Sequence, residues 1–321
     1  MIPDDIIRKQ IANTLKGTNL KIGKKYEGKV RDNYLLPGKR IIVVSDRISA
    51  FDRVLTTIPF KGQVLNQTAA FWFEKTKDIV QNHVISVPDP NVMVGRECKL
   101  LPVEMVVRNY LTGSTTTSAW HHYKNGGRNF CSNPLPDGMK KNEKFLKPII
   151  TPTTKAGKGH HDEPISPEDI VKRKLVSREM YNEMADATLR LFAKGVEHCA
   201  KQGLILVDTK YEFGLDSDGK LTVIDEIHTP DSSRFWYLKT YNACFRAGKD
   251  PDKLDKEYVR TWLAEQGFIG DGEVPEIPDD VKVEAAKRYI TAYEQITGKK
   301  FEAVEGDPME RIKESLRKAG F

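Results

Sequence analysis

The chain has few cysteines and no long apolar segment. Its cysteines, Cys98, Cys131, Cys199 and Cys244, stand far apart, and no C-x-x-C pair occurs. This spacing excludes a zinc knuckle and a dithiol motif, and it is typical of free thiols in a reducing compartment. No run approaches the ~18 apolar residues that suggest a membrane-spanning helix. Since no basic-then-apolar leader is visible either, we expect a cytoplasmic protein without membrane contact.

Neither the basic nor the acidic residues are concentrated in one region of the sequence. The 321 residues include 51 basic and 45 acidic ones, a net charge of +6. A nucleic-acid-binding surface would show a basic stripe with interleaved aromatic residues, so the composition favours small anionic substrates and no nucleic acid. The length allows two domains of roughly 150 residues each.

One segment matches the phosphate-loop pattern G-x-x-x-x-G-K-[ST] at every position except the last. Residues 23–30 read G-K-K-Y-E-G-K-V, and Val30 cannot supply the hydroxyl group that such a loop places on magnesium. The alternation across residues 26–36 instead predicts a hairpin with a glycine turn. That hairpin could lie over phosphates, with Lys29 and Arg31 as charge partners, or be a plain surface hairpin.

The segment richest in reactive side chains follows the apolar run 204–207 and reads D-T-K-Y-E-F-G. In an extended strand, alternate side chains share a face, so Asp208, Lys210 and Glu212 would line one surface. The Asp/Gly turn at 216–219 predicts a hairpin that brings Glu212 near Asp225. Such a carboxylate pair suits Mg²⁺; the alternative is a solvated strand face with a Lys–Glu cross pair.

A second strand carries an arginine near its end. Residues 98–101 are predicted to be a linker entering this strand, with Pro102 unable to donate a ladder hydrogen bond. Arg108 and the following T-G-S offer a guanidinium, a hydroxyl and backbone N–H groups suited to a phosphate monoester. Helices are predicted at 5–16, 64–81, 177–202 and 280–297, and residues 307–310 combine an N-cap, a first-turn proline and a capping-box glutamate.

Two long segments carry a family resemblance. Residues 100–114, L-L-P-V-E-M-V-V-R-N-Y-L-T-G-S, and residues 204–214, L-I-L-V-D-T-K-Y-E-F-G, resemble the signature segments of phosphoribosylaminoimidazole-succinocarboxamide synthase, the SAICAR synthetase family of purine biosynthesis. Segments 28–32, 45–52, 151–163, 229–236 and 255–260 also match, although Glu27 stands where the family often has arginine. Segment 151–163 resembles the longer, yeast-like form of the enzyme.

The resemblance implies an α+β fold of the SAICAR synthase type, related to ATP-grasp enzymes. We expect a kinase-like N-terminal antiparallel β lobe that binds ATP at residues 1–102, and a larger α+β substrate- and metal-binding domain with C-terminal helices at residues 103–321. The implied reaction joins L-aspartate to carboxyaminoimidazole ribonucleotide (CAIR) through an acyl phosphate, with ATP and Mg²⁺. We expect a monomer or a small homo-oligomer.

The resemblance also assigns residues to this reaction. Lys210 and Asp208 would be catalytic, and Glu212 and Asp225 would bind magnesium and ATP. Further ATP contacts are implied for Lys29, Arg31, Cys98, Lys99, Leu100 and Leu101. Ribonucleotide contacts are implied for Arg108, Ser114, Asp208, Lys210, Asp231, Ser233, Arg234 and Arg260. The remaining candidates for the aspartate or ribonucleotide pocket are His161, Asp162 and Glu163, whereas His228 need not ionise.

Two other functions compete with this interpretation. A glycine hairpin and an acid pair would also suit a small-molecule or protein kinase, but no H-R-D or D-F-G segment is present. A nucleotide-binding regulator without activity would be expected to have lost Lys210, Glu212 or Asp225, and all three are present.

Overall fold

Helices and antiparallel strands share the chain in nearly equal measure. The computed structural model describes residues 2–51, 53–155, 162–254 and 257–321, without the side chain of Glu257. Its helices are α1 (Asp4–Ile11), α2 (Lys61–Lys75), α3 (Ala119–Lys124), α4 (Pro167–Lys172), α5 (Arg178–Lys201), α6 (Leu238–Arg246), α7 (Glu257–Glu265), α8 (Asp279–Thr297) and α9 (Pro308–Lys318).

The strands up to residue 111 are β1 (Lys24–Glu27), β2 (Arg31–Leu36), β3 (Lys39–Val44), β4 (Arg47–Ala50), β5 (Arg53–Thr57), β6 (Val84–Asp89), β7 (Val92–Arg96) and β8 (Lys99–Leu111). The later strands are β9 (Asn129–Phe130), β10 (Asn133–Pro134), β11 (Glu143–Ile150), β12 (Thr153–Thr154), β13 (Leu204–Leu215), β14 (Leu221–Ile224), β15 (Ser233–Tyr237) and β16 (Lys253–Leu254).

The chain forms two compact units. The first unit comprises Met1–Glu74, His83–Glu97 and Asp255–Phe321, and the second comprises Lys75–Asn82 and Cys98–Leu254. The predicted boundary after residue 102 differs from this division chiefly at the C-terminus, since residues 257–321 cluster with the first unit. The α+β fold class itself is confirmed, because antiparallel sheets and helices occur in both units.

The first unit is built on a five-stranded antiparallel sheet of order β1-β2-β3-β7-β6, beside the β4–β5 hairpin. One face of the large sheet packs against the C-terminal helix α9, whose Ile312 and Leu316 share a hydrophobic core with Tyr34, Ile41 and Val94. The predicted β1–β2 hairpin is present, and residues 28–30 form its turn. The predicted start of α9 is also confirmed, with Asp307 accepting from Met309 N at 2.8 Å.

A buried ion pair joins α9 to the sheet. Arg311 Nε donates to Asp89 Oδ2 at 2.9 Å, and Asp89, at the end of β6, is only 3% exposed. A second arginine nitrogen bonds Asn91 Oδ1. Because the carboxylate is buried, α9 supplies the charge that Asp89 needs as well as apolar area.

The second unit is organised around β13. The main sheet has the order β11-β8-β13-β15-β16, with β12 paired to β8 and β14 paired to β13. Helix α5 packs on β13, and Gly195 permits its close approach, because a Cβ there would lie 2.7 Å from Leu206 Cδ2. As predicted, α5 begins after the N-cap Ser177 and ends before Gly203, which has a φ of 72°.

Three boundary predictions were wrong. Residues 98–101 are not a linker entering the strand, since β8 already begins at Lys99 and pairs Leu100 with Gly214. Pro102 is tolerated because the β8–β13 register shifts at this point. Helix α1 ends at Ile11 rather than 16, and α2 ends at Lys75 rather than 81. The residues after α2 join the second unit instead, where Gln81 O accepts from Val223 N at 2.9 Å.

Across the described ranges, no helix combines the length and the apolar composition needed to span a membrane.

Replacing Arg311 by alanine is predicted to lower the free energy of unfolding by about 3 kcal/mol, since it leaves the buried Asp89 carboxylate without its cation. Urea titration followed by circular dichroism measures this loss. Lys313→Ala is the matched control on the same helix, because Lys313 pairs with Glu310 in solvent, and such pairs contribute little. Equal stability of the two variants would contradict a stabilising role for the Arg311–Asp89 pair.

Candidate active site

The central strand β13 presents charged side chains on one face, between β8 and β15. In the register of the sheet, Asp208 lies opposite Arg108 on one side and Arg234 on the other, and Glu212 lies opposite Glu104. Lys210 sits between the two acids along β13, as the alternation of the sequence predicts. The sheet therefore gathers two arginines, one lysine and three carboxylates on a single surface.

Asp208 is held between two guanidinium groups. Arg234 Nε donates to Asp208 Oδ1 at 3.0 Å, and Arg234 Nη2 lies 2.9 Å from Oδ2. Arg108 Nη1 lies 3.5 Å from the same Oδ2, and Arg108 Nε donates to Thr151 Oγ1 at 2.8 Å. The Arg234 side chain is 39% exposed, whereas that of Arg108 is 9% exposed. Two cations against one anion leave this end of the surface positive, with Arg234 as its accessible group.

Lys210 binds the carboxylates at the other end. Its Nζ donates to Glu104 Oε1 at 2.5 Å and to Glu212 Oε1 at 3.1 Å. Burial would lower the pKa of Lys210, but the charges of Glu212, Glu104 and Asp225 outweigh burial and raise the pKa well above its usual value. Lys210 is therefore a fixed cation at physiological pH.

The carboxylates around Lys210 form a set of oxygen donors. Lys155 donates to the second oxygen of Glu212, and Thr153 Oγ1 donates to Glu104 Oε2 at 3.1 Å. Burial raises the pKa of Glu104, with a further contribution from Glu212, although Lys210 opposes the shift. Burial therefore makes the ionised form of Glu104 costly, and the ion pair with Lys210 offsets part of this cost.

Asp225 follows β14, which pairs its Ile224 with Glu212. The residue adopts a φ of 68°, a left-handed conformation that is uncommon outside glycine and that aspartate tolerates better than most. Within the described ranges, no group of three or more His, Cys, Asp or Glu side chains is spaced to hold a metal ion. A pair of carboxylates completed by water and phosphate oxygens is nevertheless an arrangement that Mg²⁺ commonly uses.

Ser114 lies in an exposed loop after β8. The loop passes close to Arg234, because a Cβ on Gly113 would lie 3.2 Å from Arg234 Nη1. Gly113 itself has a φ of 115°, which favours glycine. Ser114 directly follows Gly113 in this loop, and its contact with the ribonucleotide stays a prediction.

Ser233 is not brought to the charged face. It pairs with Thr209 in the register and donates to Thr209 Oγ1 at 2.7 Å. Because neighbouring residues of a strand point to opposite faces, Ser233 faces away from Asp208 and Arg234. Asp231 lies half-buried in the turn before β15, where Ser232 N donates to Thr229 O at 3.2 Å.

The residues predicted to bind ATP, together with the predicted ribonucleotide contact Arg260, are divided between the units. Cys98, Lys99, Leu100 and Leu101 lie in the second unit, where their backbone is part of β8 or directly precedes it. Lys29, Arg31 and Arg260 belong to the first unit, and Arg260 stacks over the Phe51 ring at 5.2 Å from its centroid. A meeting of these groups with the β13 surface stays a prediction.

His161, a candidate for the predicted pocket, lies outside the described residues. The same holds for Asp52, residues 156–160 and residues 255–256, which belong to the segments that resemble the family. Asp162 contributes to raising the pKa of Glu104, behind burial and Glu212. Glu163 N donates to Thr154 Oγ1 at 3.3 Å, so Glu163 lies beside β12.

Sequence reasoning missed Glu104, Lys155 and Thr151. Glu104 lies at even spacing from Arg108 on one strand, and the period-2 rule applied to Asp208, Lys210 and Glu212 would have placed both on one face. No comparable local pattern identifies Lys155 or Thr151, because their contacts depend on the path of the chain after β11.

His228 lies in the interior rather than on the charged surface. It is fully buried and contacts the Tyr211 hydroxyl through Nε2. Burial, with a smaller contribution from His198, lowers the pKa of His228 to about 3. A neutral histidine at this position agrees with the prediction that it need not ionise.

Comparison with known proteins gives a consistent result. The SAICAR synthetase family model matches residues 24–275. The phosphoribosylaminoimidazole-succinocarboxamide synthase of Legionella pneumophila is 50% identical over 288 residues, which cover 89% of this chain and 92% of that protein. The corresponding protein of Bacteroides thetaiotaomicron is 51% identical over 280 residues, with coverages of 86% and 88%.

Solved structures agree with the sequence relatives. The SAICAR synthase of Saccharomyces cerevisiae in complex with SAICAR is 32% identical, with a TM-score of 0.79, over 90% of this chain and 100% of that one. A type-2 SAICAR synthetase in complex with ADP is 27% identical, with a TM-score of 0.64, over 87% of this chain and 100% of that one. The higher score of the yeast structure agrees with the predicted resemblance to the yeast form. From the extent of these matches and from the charged β13 surface, the chain belongs to the SAICAR synthetase family, the ligases of purine biosynthesis.

Proposed function

We propose that this chain joins CAIR to L-aspartate at the expense of ATP, through an acyl phosphate, to give SAICAR, ADP and phosphate. The observation that carries this proposal is the β13 surface, where an arginine-rich end adjoins a lysine held among carboxylates. A related structure that contains SAICAR and another that contains ADP support the choice of substrates.

The acyl phosphate follows from the chemistry of a carboxylate. Direct attack by an amine would have to expel oxide, which is a poor leaving group. In the proposed route, a CAIR carboxylate oxygen attacks the γ-phosphorus of ATP, and the bond to ADP breaks. The aspartate amine then attacks the acyl carbon, phosphate leaves with that oxygen, and the nitrogen loses a proton. Both steps depend on positioning and on neutralising charge rather than on a protein nucleophile.

The arginine-rich end suits the anionic ribonucleotide. Arg234 is accessible, and a guanidinium can bind phosphate or carboxylate oxygens with two parallel hydrogen bonds. Arg108 is buried against Asp208 and Thr151, so it fixes the orientation of Asp208 and adds positive charge. The Ser114 loop supplies hydroxyl and backbone groups beside Arg234. We assign Asp231 and Arg260 to the same substrate from the family resemblance.

Lys210 is assigned to the reacting groups. Because its pKa is raised by Glu212, Glu104 and Asp225 against the effect of burial, Lys210 cannot act as a general base near neutral pH. A fixed ammonium group can instead stabilise the negative charge that accumulates on the carboxylate and the transferred phosphoryl group. Its contacts with Glu104 and Glu212 keep it in place for this role.

Glu212 and Asp225 would hold Mg²⁺. Both side chains offer carboxylate oxygens, the ligands that this hard cation prefers, and an ion bound at Glu212 would displace Lys155 from its second oxygen. Bound there, the ion would neutralise the phosphates of ATP. We assign Lys29, Arg31 and the backbone of residues 98–101 to the phosphates and the adenine of the nucleotide.

An isotope experiment tests the proposed reaction. CAIR labelled with ¹⁸O in its carboxylate is incubated with the enzyme, ATP, Mg²⁺ and L-aspartate, and the released phosphate is analysed by mass spectrometry. We expect one labelled oxygen in each phosphate molecule released by the complete mixture. Control mixtures that lack either CAIR or L-aspartate should release no phosphate. Unlabelled phosphate would exclude the acyl phosphate, and absence of SAICAR would exclude the reaction itself.

Lys210→Ala is predicted to lower kcat by at least about 100-fold, which corresponds to roughly 2.7 kcal/mol in the barrier. The expected cause is loss of the fixed positive charge rather than of packing. Lys144→Ala, an exposed lysine of β11 in the same sheet, is the matched control and should retain wild-type kcat. If Lys210→Ala keeps more than about a tenth of the wild-type kcat, Lys210 has no central role in the reaction.

Glu212→Gln and Asp225→Asn are predicted to weaken Mg·ATP binding about tenfold or more while leaving CAIR affinity nearly unchanged. Each amide keeps the shape of the side chain but removes the charge that the ion requires. Calorimetric titrations with Mg·ATP, with ATP in the presence of EDTA and with CAIR separate the contributions. Equal losses with and without Mg²⁺ would show that these carboxylates do not act through the metal.

A further inference from the structure

The carbonyl oxygens in the turn between β1 and β2 accept hydrogen bonds from Arg47 and Ser45. Gly28 O accepts from Arg47 Nη2 at 3.0 Å, and Lys29 O accepts from Arg47 Nε at 2.9 Å. Val30 O accepts from Ser45 Oγ at 2.7 Å and from Ser45 N at 3.0 Å. All three carbonyl groups of residues 28–30 are therefore bound by two residues at the start of the next hairpin.

Arg47 is itself fixed. It is 6% exposed, and Asp32, its ion-pair partner, is 1% exposed. Arg47 Nη2 donates to Asp32 Oδ1 at 2.9 Å and Nη1 donates to Lys16 O at 2.7 Å. Space for the guanidinium depends on Gly17, since a Cβ there would lie 3.1 Å from Arg47 Nη1.

Asp32 in turn is held by other groups. It accepts from Thr18 N at 2.6 Å and from Thr18 Oγ1 at 2.9 Å. Burial would raise the pKa of Asp32, but the hydrogen bonds of Thr18 and Arg47 outweigh it and lower the pKa. The pair is consequently a charged, rigid support for the turn.

The direction of the carbonyl groups decides what the turn presents to solvent. In a trans peptide, C=O and N–H point in opposite directions. When Arg47 draws Gly28 O and Lys29 O inward, the N–H groups of Lys29 and Val30 face outward, beside the exposed Lys29 side chain. Outward amides and a lysine attract phosphate oxygens, whereas outward carbonyls would repel them.

We propose that Arg47 is a positioning residue for the nucleotide, which holds the carbonyl groups of the 28–30 turn inward so that its amides and Lys29 meet the ATP phosphates. This inference rests on the proposed contact between Lys29 and ATP. The arrangement differs from a phosphate loop, because here a buried arginine orients a short hairpin turn. Arg47 acts through the turn and does not itself touch the substrate.

Arg47→Lys is the sharpest variant, because lysine keeps the positive charge beside Asp32 but cannot reproduce the fork onto two carbonyl groups. Arg311→Lys is the matched control, since Arg311 is also mostly buried, lies in the same unit and pairs with a buried aspartate, but binds no atom of the turn. Both variants should lower the thermal midpoint, so stability alone does not distinguish them.

Two measurements do distinguish them. Hydrogen exchange on the nucleotide-free protein should show the amide of Gly28, which donates to Arg31 O at 2.8 Å across the turn, exchanging about tenfold faster in Arg47→Lys and at the wild-type rate in Arg311→Lys. Calorimetry with ADP should show affinity reduced about fivefold or more in Arg47→Lys alone, with CAIR affinity unchanged in both variants.

Either of two results would overturn the inference: unchanged exchange in the turn, or faster exchange with ADP affinity within about twofold of wild type. Should Arg47→Lys fail to fold, Ser45→Ala serves the same purpose, because it removes one of the two bonds to Val30 O; the same two readouts then decide. Lys29→Ala tests the underlying contact separately. Unchanged ADP affinity in Lys29→Ala would remove Lys29 from the nucleotide site, whatever Arg47→Lys shows.

Discussion

The candidate site depends on keeping charged groups ionised on a partly buried sheet surface. Burial disfavours the charged form of every acid and base on β13, and the structure offsets this cost by pairing. Asp208 lies between Arg108 and Arg234, and Lys210 lies between Glu104 and Glu212. Since removing one partner leaves the other charge uncompensated, the charges within each of these two sets depend on one another.

In the proposed reaction, the carboxylates around Lys210 suit this lysine to electrostatic stabilisation rather than to proton transfer. The surrounding carboxylates raise the pKa of Lys210 despite its burial, so the group is a cation at neutral pH. An ordered cation costs no reorganisation when negative charge develops nearby. Placement on the central strand adds to this rigidity, because β13 is hydrogen-bonded on both sides and covered by α5.

The first unit uses the same principle for a different purpose. Asp32 and Arg47 form a buried pair whose guanidinium also binds main-chain carbonyl groups. Asp89 and Arg311 form another, which joins the C-terminal helix to the sheet. The Asp89–Arg311 pair joins distant parts of the sequence, so its requirement for charge pairing contributes to the topology of the unit.

Local sequence patterns were sufficient to predict several parts of this structure. Period-2 alternation placed Asp208, Lys210 and Glu212 on one face, and the Asp/Gly turn predicted the β13–β14 hairpin that carries Asp225. Capping residues located α5 and α9. These features depend on neighbours within a few residues, which is why sequence spacing determines them.

Other features depended on pairing between distant segments. The strand character of Lys99 and Leu100 comes from pairing with Leu215 and Gly214, and the orientation of Ser233 away from the charged face comes from its register with Thr209. The contact of Lys155 with Glu212 and the bonds from Arg47 to the glycine turn join residues far apart in the chain. The sequence by itself determined the β13–β14 hairpin, the starts of α5 and α9, and the common face of Asp208, Lys210 and Glu212. Only the tertiary structure decided which charges are paired, because pairing depends on strand order and register rather than on local spacing.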